Sequence, residues 1–321
     1  VPDVWKEELS SGMQLYGIEN NEVPLVQFQL QLKGGMLLEQ SDKIGVSNLL
    51  ASLMTQGTAN KTPEALENAI DMLGASINAY ATKESLVISG NTLSKNYAKT
   101  MALVQEILLE PRWDEKEFAL IKQSILSSLQ RQKANPNSIA RNEFAKLLYG
   151  DDHIFSHNNL GTEATVNAIE MDDLKAYYTN SFTPQLAVVK VVGAISETKV
   201  LEALEPLNTN WEVKEVTLPE VPEPELPASA TIYFYDIPGA KQSVINFGYP
   251  TMKITDPDYY AATVMNYRLG GGGFASQLTQ ELREGKGYTY GIRSGFSANK
   301  STGYFLISSG VRSNVTYESN E

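Results

Sequence analysis

The sequence predicts an α+β protein of two homologous domains, each a mostly antiparallel or mixed sheet packed against helices. Residues 26–32 alternate strictly between apolar and Gln side chains, which is the period of a strand with one solvated face. Helical and strand-like segments then alternate along residues 1–215. A stretch rich in proline and glutamate separates this part from a shorter one that repeats the order strand, strand, helix, which indicates an internal duplication.

The elements of the first domain, residues 1–215, are predicted from local signals. Thr62-Pro63 marks a helix start, because proline is favoured in the first turn, where its missing N–H has no partner. Asp114 followed by Glu117 resembles a capping box and begins a long helix. Further strands are predicted at 75–82, 86–92 and 187–192, and further helices from Ser94, over 138–148 and over 171–179.

Residues 216–229 are predicted to be an extended, solvated linker. Residues 216–227 contain four prolines and three glutamates, which neither continue a helix nor pair inside a sheet. The second domain, residues 230–321, is predicted to have strands at 232–235, 244–249 and 304–309 and two helices separated by a run of glycines. It has 92 residues against about 215 in the first domain, so we expect it to be truncated.

The composition excludes several classes of function. Lys and Arg number 26 against 38 Asp and Glu, and this net charge of −12 opposes binding to nucleic acid, which requires clustered cations. The absence of cysteine excludes disulfides, Cys-ligated zinc and thiol catalysis. No segment has the roughly 18 consecutive apolar residues of a membrane span. The two histidines, His153 and His157, lie with Asp151 and Asp152 in a predicted loop, where a metal site is an alternative that we do not adopt.

Residues 45–58 carry a resemblance to a known family. They read Gly-Val-Ser-Asn-Leu-Leu-Ala-Ser-Leu-Met-Thr-Gln-Gly-Thr. This segment resembles the helix of pitrilysin/insulinase-type (inverzincin) zinc metallopeptidases, in which two His ligands flank a general-base Glu. The resemblance implies that the His positions are held here by Asn48 and Ser52, the base position by Ala51, and the downstream ligand position by Ser128 or Leu129.

None of these side chains supplies an imidazole or a carboxylate, which are the groups that hold and activate catalytic zinc in this family. We therefore expect no metal or other cofactor in this chain and no peptidase activity from the chain alone. The resemblance implies that zinc is held by a catalytic partner half.

Residues 269–290 carry a second resemblance to the same family. A glycine run, Gly270 to Gly273, precedes a helix ending in Leu-Arg-Glu and an aromatic strand, and Arg283 and Tyr290 keep the family's spacing of seven residues. The resemblance implies that Arg283 binds substrate carbonyls and that Tyr290 donates a hydrogen bond to the oxyanion formed during hydrolysis. A structural role competes, because Arg283 also suits a helix C-terminus and Tyr290 a strand.

A nucleotide loop is not adopted for the glycine run, because the run follows a helix and lacks a Gly-Lys-Ser/Thr ending. The glycines are instead expected to permit a tight turn with positive backbone angles.

The sequence thus resembles the non-catalytic half of a zinc endopeptidase, which closes like a clamshell with its catalytic half around a peptide or small unfolded protein. The catalytic half can be fused or separate; no nucleic acid and no membrane span are expected. The N-terminus has no signal-peptide pattern and fits the C-terminal half of a fusion or a fragment, and the resemblance favours an exported, periplasmic bacterial protein. The alternatives are a structural scaffold subunit without a peptidase role and a stand-alone peptide-binding module.

Overall fold

The computed structural model describes residues 2–226 and 229–320, which form two compact units. Unit 1 comprises Val1–Leu129 and Asn158–Pro219, and unit 2 comprises Gln130–His157 and Glu220–Glu321. The segment 130–157, which the sequence placed in a domain spanning 1–215, thus belongs to unit 2. The division falls between Pro219 and Glu220, within the predicted linker 216–229, of which residues 227 and 228 lie outside the described residues.

Unit 1 is built on a six-stranded sheet. Its strands are β1 (Trp5–Glu8), β2 (Gln14–Glu19), β3 (Leu25–Lys33), β4 (Ser76–Ala81), β5 (Ser85–Leu93) and β6 (Ala187–Gly193). Their order in the sheet is β1-β2-β6-β3-β5-β4. Only the β2–β6 pairing is parallel among the described strands of this sheet. The alternation at 26–32 is confirmed: Val26, Phe28, Leu30 and Leu32 are buried, whereas the three Gln side chains between them are not.

The helices of unit 1 bury an apolar core against one face of this sheet. The helix start predicted at Thr62-Pro63 is confirmed by α2 (Pro63–Met72), which Thr62 caps by accepting a hydrogen bond from the Ala65 N–H. Asp114 caps α4 (Glu115–Lys133) by accepting from the Glu117 N–H. Ser94 does not cap a helix but begins a 3₁₀ turn before α3 (Tyr97–Leu109). The helices are α1 (Val46–Met54), α2 (Pro63–Met72), α3 (Tyr97–Leu109), α4 (Glu115–Lys133), which continues into unit 2, α6 (Glu163–Ala168), α7 (Met171–Ser181) and α8 (Glu197–Asn210), while α5 (Pro136–Tyr149) lies in unit 2.

Unit 2 contains a three-stranded antiparallel sheet in the order β7-β9-β8. Its strands are β7 (Gln242–Thr251), β8 (Thr289–Ala298) and β9 (Gly303–Arg312), and α9 (Tyr259–Asn266) follows β7. Unit 1 has the same arrangement in β3-β5-β4, with α1 after β3. The shared strand order, sense and helix position support the predicted duplication.

The segment 130–157 belongs to unit 2 because α5 packs on β7. The Phe144 ring meets the Tyr304 ring edge-on at 5.8 Å, and the Tyr235 hydroxyl donates to the Glu143 carboxylate at 2.5 Å. These contacts join residues that are far apart in the sequence. Local patterns therefore could not reveal them.

The strand predicted at 232–235 is wrong, since these residues form no regular secondary structure. In unit 1, β2 joins the sheet by pairing with β6, which lies between β2 and β3. Within 229–320, no strand lies along the corresponding edge of β7, so residues 232–235 have no strand to pair with. No helix in the described part of the chain is long and apolar enough to cross a membrane.

Candidate functional site

The three motif positions on α1 belong to the packing of unit 1. Ala51 has no exposed surface, and Asn48 and Ser52 are half-buried. The Ser52 hydroxyl donates to the Asn48 carbonyl at 3.0 Å, one helical turn back. The only hydroxyl at these three positions therefore bonds to the backbone of its own helix.

A buried carboxylate lies at the N-terminus of α1. The two Glu39 oxygens accept hydrogen bonds from the Gly45 and Ser47 N–H groups, both at 2.8 Å. Burial raises the pKa of Glu39 to about 7, although these hydrogen bonds and one to the Ser47 side chain oppose the shift. Both Glu39 oxygens are thus used to cap the helix.

The residues at the zinc-motif positions do not fit a zinc ion. The fourth motif position is Ser128, a half-buried residue of α4. Together with Asn48, Ala51 and Ser52 it supplies neither an imidazole nor a carboxylate. Across residues 2–226 and 229–320, no three His, Cys, Asp or Glu side chains group closely enough to hold a metal ion. Both ring nitrogens of His153 are bonded, to the Phe155 N–H and the Pro222 carbonyl, so this histidine is used structurally.

Arg283 lies on an irregular helical turn of unit 2. Residues Gln280–Gly285 are π-helical, and the Lys286 N–H bonds the Glu281 carbonyl five residues back at 2.9 Å. Such wide turns occur frequently at functional sites. The Arg283 guanidinium lies 4.4 Å from the centre of the Phe274 ring, and its Nε is 3.4 Å from a Glu284 oxygen. The Arg283 side chain is 35% exposed, so it stacks on Phe274 and still reaches solvent.

Tyr290 lies on a β-bulge in β8. The register of β8 with β9 shifts between Thr289, opposite Val311, and Ile292, opposite Ser309. Two residues, Tyr290 and Gly291, therefore oppose a single residue on β9, and a bulge of this kind redirects side chains beside active sites. Tyr290 is 85% exposed, and its hydroxyl has no hydrogen-bond partner among the described residues. The Tyr290 hydroxyl is thus available to donate a hydrogen bond to an oxyanion.

The glycine run brings a helix close to the sheet. A side chain at Gly270 would place its Cβ 2.3 Å from the Ser294 Oγ of β8, and the Asn266 amide donates to the Ser294 carbonyl at 2.8 Å. Gly273 alone in this run has a positive φ, +59°. The expectation of positive angles across the run is therefore wrong for the other three glycines, of which Gly270 is required by close packing.

Arg283 and Tyr290 lie on two neighbouring elements of unit 2 that pack against each other. The π-helical turn that bears Arg283 packs against β8, which bears Tyr290. Between the two side chains the structure has no hydrogen bond. Phe274, whose ring stacks on Arg283, was not among the predicted site residues, although an aromatic residue directly after a glycine run is a signal that could have identified it.

Two family models cover most of the chain. The model described as insulinase (peptidase family M16) matches residues 17–159, and the one described as the peptidase M16 inactive domain matches residues 168–320. The chain is 24% identical over 312 residues to a Bacillus subtilis protein named uncharacterized zinc protease YmxG, across 97% of this chain and 74% of that one. It is 25% identical to a Helicobacter pylori protein named non-peptidase homolog YmxG, across 89% and 66%.

A solved structure agrees with this assignment. A crystal structure described as a peptidase M16 inactive domain from Pseudomonas fluorescens superimposes with a TM-score of 0.93 and 27% identity. The match covers 99% of this chain and 76% of that chain. The fold, the two matching domain models and the altered motif on α1 lead to one conclusion: this chain belongs to the insulinase family of metallopeptidases, peptidase family M16, and lacks the family's catalytic motif.

Proposed function

We propose that this chain is the non-catalytic half of a zinc endopeptidase. It encloses a peptide together with a partner half that holds the zinc, and it contributes Arg283 and Tyr290 to the peptide. One contrast supports this function above all others. The zinc-motif positions have no metal ligands, whereas the half-buried Arg283 and the exposed Tyr290 carry polar groups on irregular backbone.

The chemistry of the two side chains suits a peptide under attack. The Arg283 guanidinium has five N–H donors in a planar fork, which can bind backbone carbonyls of an extended peptide. The Tyr290 hydroxyl can donate to the oxyanion that develops on the scissile carbonyl. A preorganised donor of this kind contributes about 2–4 kcal/mol in a site from which water is excluded. Closure of the partner half would supply that exclusion.

Co-expression tests this function. The chain is combined with an M16-family polypeptide that carries an intact His-x-x-Glu-His motif, and cleavage of an internally quenched fluorogenic peptide is followed. We expect zinc-dependent cleavage from the pair and none from this chain alone. Tyr290→Phe should lower kcat by about 10²-fold, and Arg283→Ala should lower kcat/KM.

Matched controls are available in the same unit. Tyr260→Phe and Arg268→Ala change exposed residues of the same types, and both should leave cleavage unchanged. Equal turnover in wild type, Tyr290→Phe and Arg283→Ala would refute the catalytic contribution.

A scaffold role is the second candidate, and the relative named a non-peptidase homolog favours it. A scaffold would assemble with a partner but would make no use of the exposed Arg283 and Tyr290 groups. Fluorescence anisotropy with fluorescein-labelled casein, an unfolded protein, separates the two. The proposed peptidase half binds the probe when paired, and Arg283→Ala weakens that binding, whereas a scaffold shows neither effect.

A further inference from the structure

We propose that Thr289 is a positioning residue for Tyr290: its buried hydroxyl holds the β-bulge that presents Tyr290 to a bound peptide. This inference rests on the proposed function and goes beyond it, because it assigns a role to a residue that does not itself reach the peptide. Thr289 is 7% exposed, whereas its neighbour Tyr290 is almost fully exposed.

The Thr289 hydroxyl lies at the centre of the bulge. Its Oγ1 accepts a hydrogen bond from the Gly291 N–H at 3.0 Å and one from the Ser309 hydroxyl at 3.0 Å. The Gly310 and Gly291 carbonyl oxygens lie 2.7 Å and 2.9 Å away, and the single hydroxyl proton is directed to them. A hydroxyl has one donor and two acceptor positions, so Thr289 uses its full capacity within the bulge.

These bonds replace those that a regular ladder would make. A bulge leaves backbone N–H and C=O groups of the inserted residue unpaired, and an unpaired buried polar group is costly. Here the Gly291 N–H donates to the Thr289 hydroxyl oxygen. The Gly291 carbonyl also lies 3.1 Å from the hydroxyl of Ser309, which is as buried as Thr289. Side chains of two strands thus fix the backbone on either side of the bulge.

The position of Tyr290 depends on this backbone. With its ring in solvent and its hydroxyl unpartnered in the described structure, Tyr290 has no side-chain anchor that could hold it by itself. An oxyanion donor must be within about 3 Å of the developing charge. A loosened bulge would therefore lower the rate without removing the Tyr290 hydroxyl.

The test uses two substitutions at the same position. Thr289→Val keeps the β-branched shape and strand preference but removes the hydroxyl, while Thr289→Ser keeps the hydroxyl. In the zinc-dependent cleavage assay with the catalytic half, Thr289→Val should lower kcat at least about tenfold with KM nearly unchanged. Thr289→Ser should stay within about threefold of wild type. The control Thr263→Val, which removes an exposed hydroxyl on α9, should have no effect.

A double variant separates positioning from a general loss of structure. If Thr289 acts through Tyr290, Thr289→Val should cost little further activity in a Tyr290→Phe background. Amide hydrogen exchange at Gly291 should accelerate in Thr289→Val and not in Thr289→Ser. Should Thr289→Val fail to fold, Ser309→Ala takes its place, with the same expected loss of kcat and the same suppression by Tyr290→Phe.

The outcomes distinguish the inference from the function beneath it. Full kcat in Thr289→Val beside a slow Tyr290→Phe would overturn the inference and leave the proposed function intact, and so would additive losses or unchanged Gly291 exchange. If instead neither Tyr290→Phe nor Arg283→Ala slows cleavage, the proposed function fails and the inference fails with it.

Discussion

Units 1 and 2 each contain the same arrangement of three antiparallel strands, but α1 in unit 1 and the β8 region in unit 2 differ at the positions where the family resemblance predicted functional residues. On α1, Ala51 is completely buried and the Ser52 hydroxyl bonds back to its own helix, which is regular throughout. Around β8, Arg283 lies on a π-helical turn and Tyr290 on a β-bulge, and both side chains reach solvent.

This difference fits the proposed function, in which the positions on α1 have no catalytic role and those around β8 contact a peptide. Irregular backbone costs free energy and persists where the surrounding structure supports it, often at functional sites. Unit 2 has two such irregularities, one at Arg283 and one at Tyr290. Within α1 the helix is regular, and Ala51 belongs to the hydrophobic core.

Restoring a carboxylate on α1 should produce the largest change in stability. Ala51→Glu places a charged side chain where Ala51 has no exposed surface and no cation is available on α1. We expect the free energy of unfolding to fall by about 3 kcal/mol or more, measured by urea denaturation. Ala59→Glu, at an exposed position, should change it by less than about 0.5 kcal/mol. A well-tolerated Ala51→Glu would contradict the view that this site is now core.

The pH dependence of stability tests the N-terminus of α1, where Glu39 accepts hydrogen bonds from the backbone. Burial raises the pKa of Glu39 from 4.5 to about 7 in the folded state. The resulting stabilisation is fully present below pH 4.5 and is lost as the pH rises through 7, because the folded state then has to carry a buried carboxylate. Between pH 5 and 8 the wild type should lose about 2–3 kcal/mol relative to Glu39→Gln.

Urea denaturation of the two proteins across this pH range measures the loss. Glu67→Gln, at an exposed position on α2, is the control and should follow the wild-type profile. Parallel profiles for wild type and Glu39→Gln would mean that the N–H groups of Gly45 and Ser47 fully compensate the burial of Glu39.

Features that depend on local residue types could be predicted from the sequence. The alternation of β3 and the Thr62 cap of α2 are encoded within a few residues, and the loss of zinc ligands follows directly from Asn48, Ala51 and Ser52. Arg283 and Tyr290 were selected because they keep the spacing of the family that the sequence resembles, and their role stays a prediction. Each of these predictions needed only the residue types within a short segment of the sequence.

Features that depend on distant partners could not be predicted. The bulge at Tyr290 is held by Ser309 and Gly310 of another strand, and the π-helical turn follows from backbone bonding that residue preferences do not specify. Residues 232–235 have strand-forming side chains, but a strand also requires a neighbour in the sheet. Each of these outcomes is decided by tertiary structure.

The smallest expected effect concerns the aromatic ring that stacks on Arg283. Phe274 is 63% exposed, so its ring gains little from burial, and its 4.4 Å stacking distance fits a cation–π contact worth about 0.5–1 kcal/mol at an exposed site. Phe274→Leu should therefore raise KM of the paired enzyme by about two- to fivefold, while Phe274→Tyr keeps the wild-type value. Phe274→Leu should have no further effect once Arg283→Ala is present, because its influence passes through the guanidinium. An equal rise in KM in the Arg283→Ala background would instead mean that Phe274 contacts the peptide itself. Unit 2 would then have three peptide-binding side chains, Phe274 in addition to Arg283 and Tyr290.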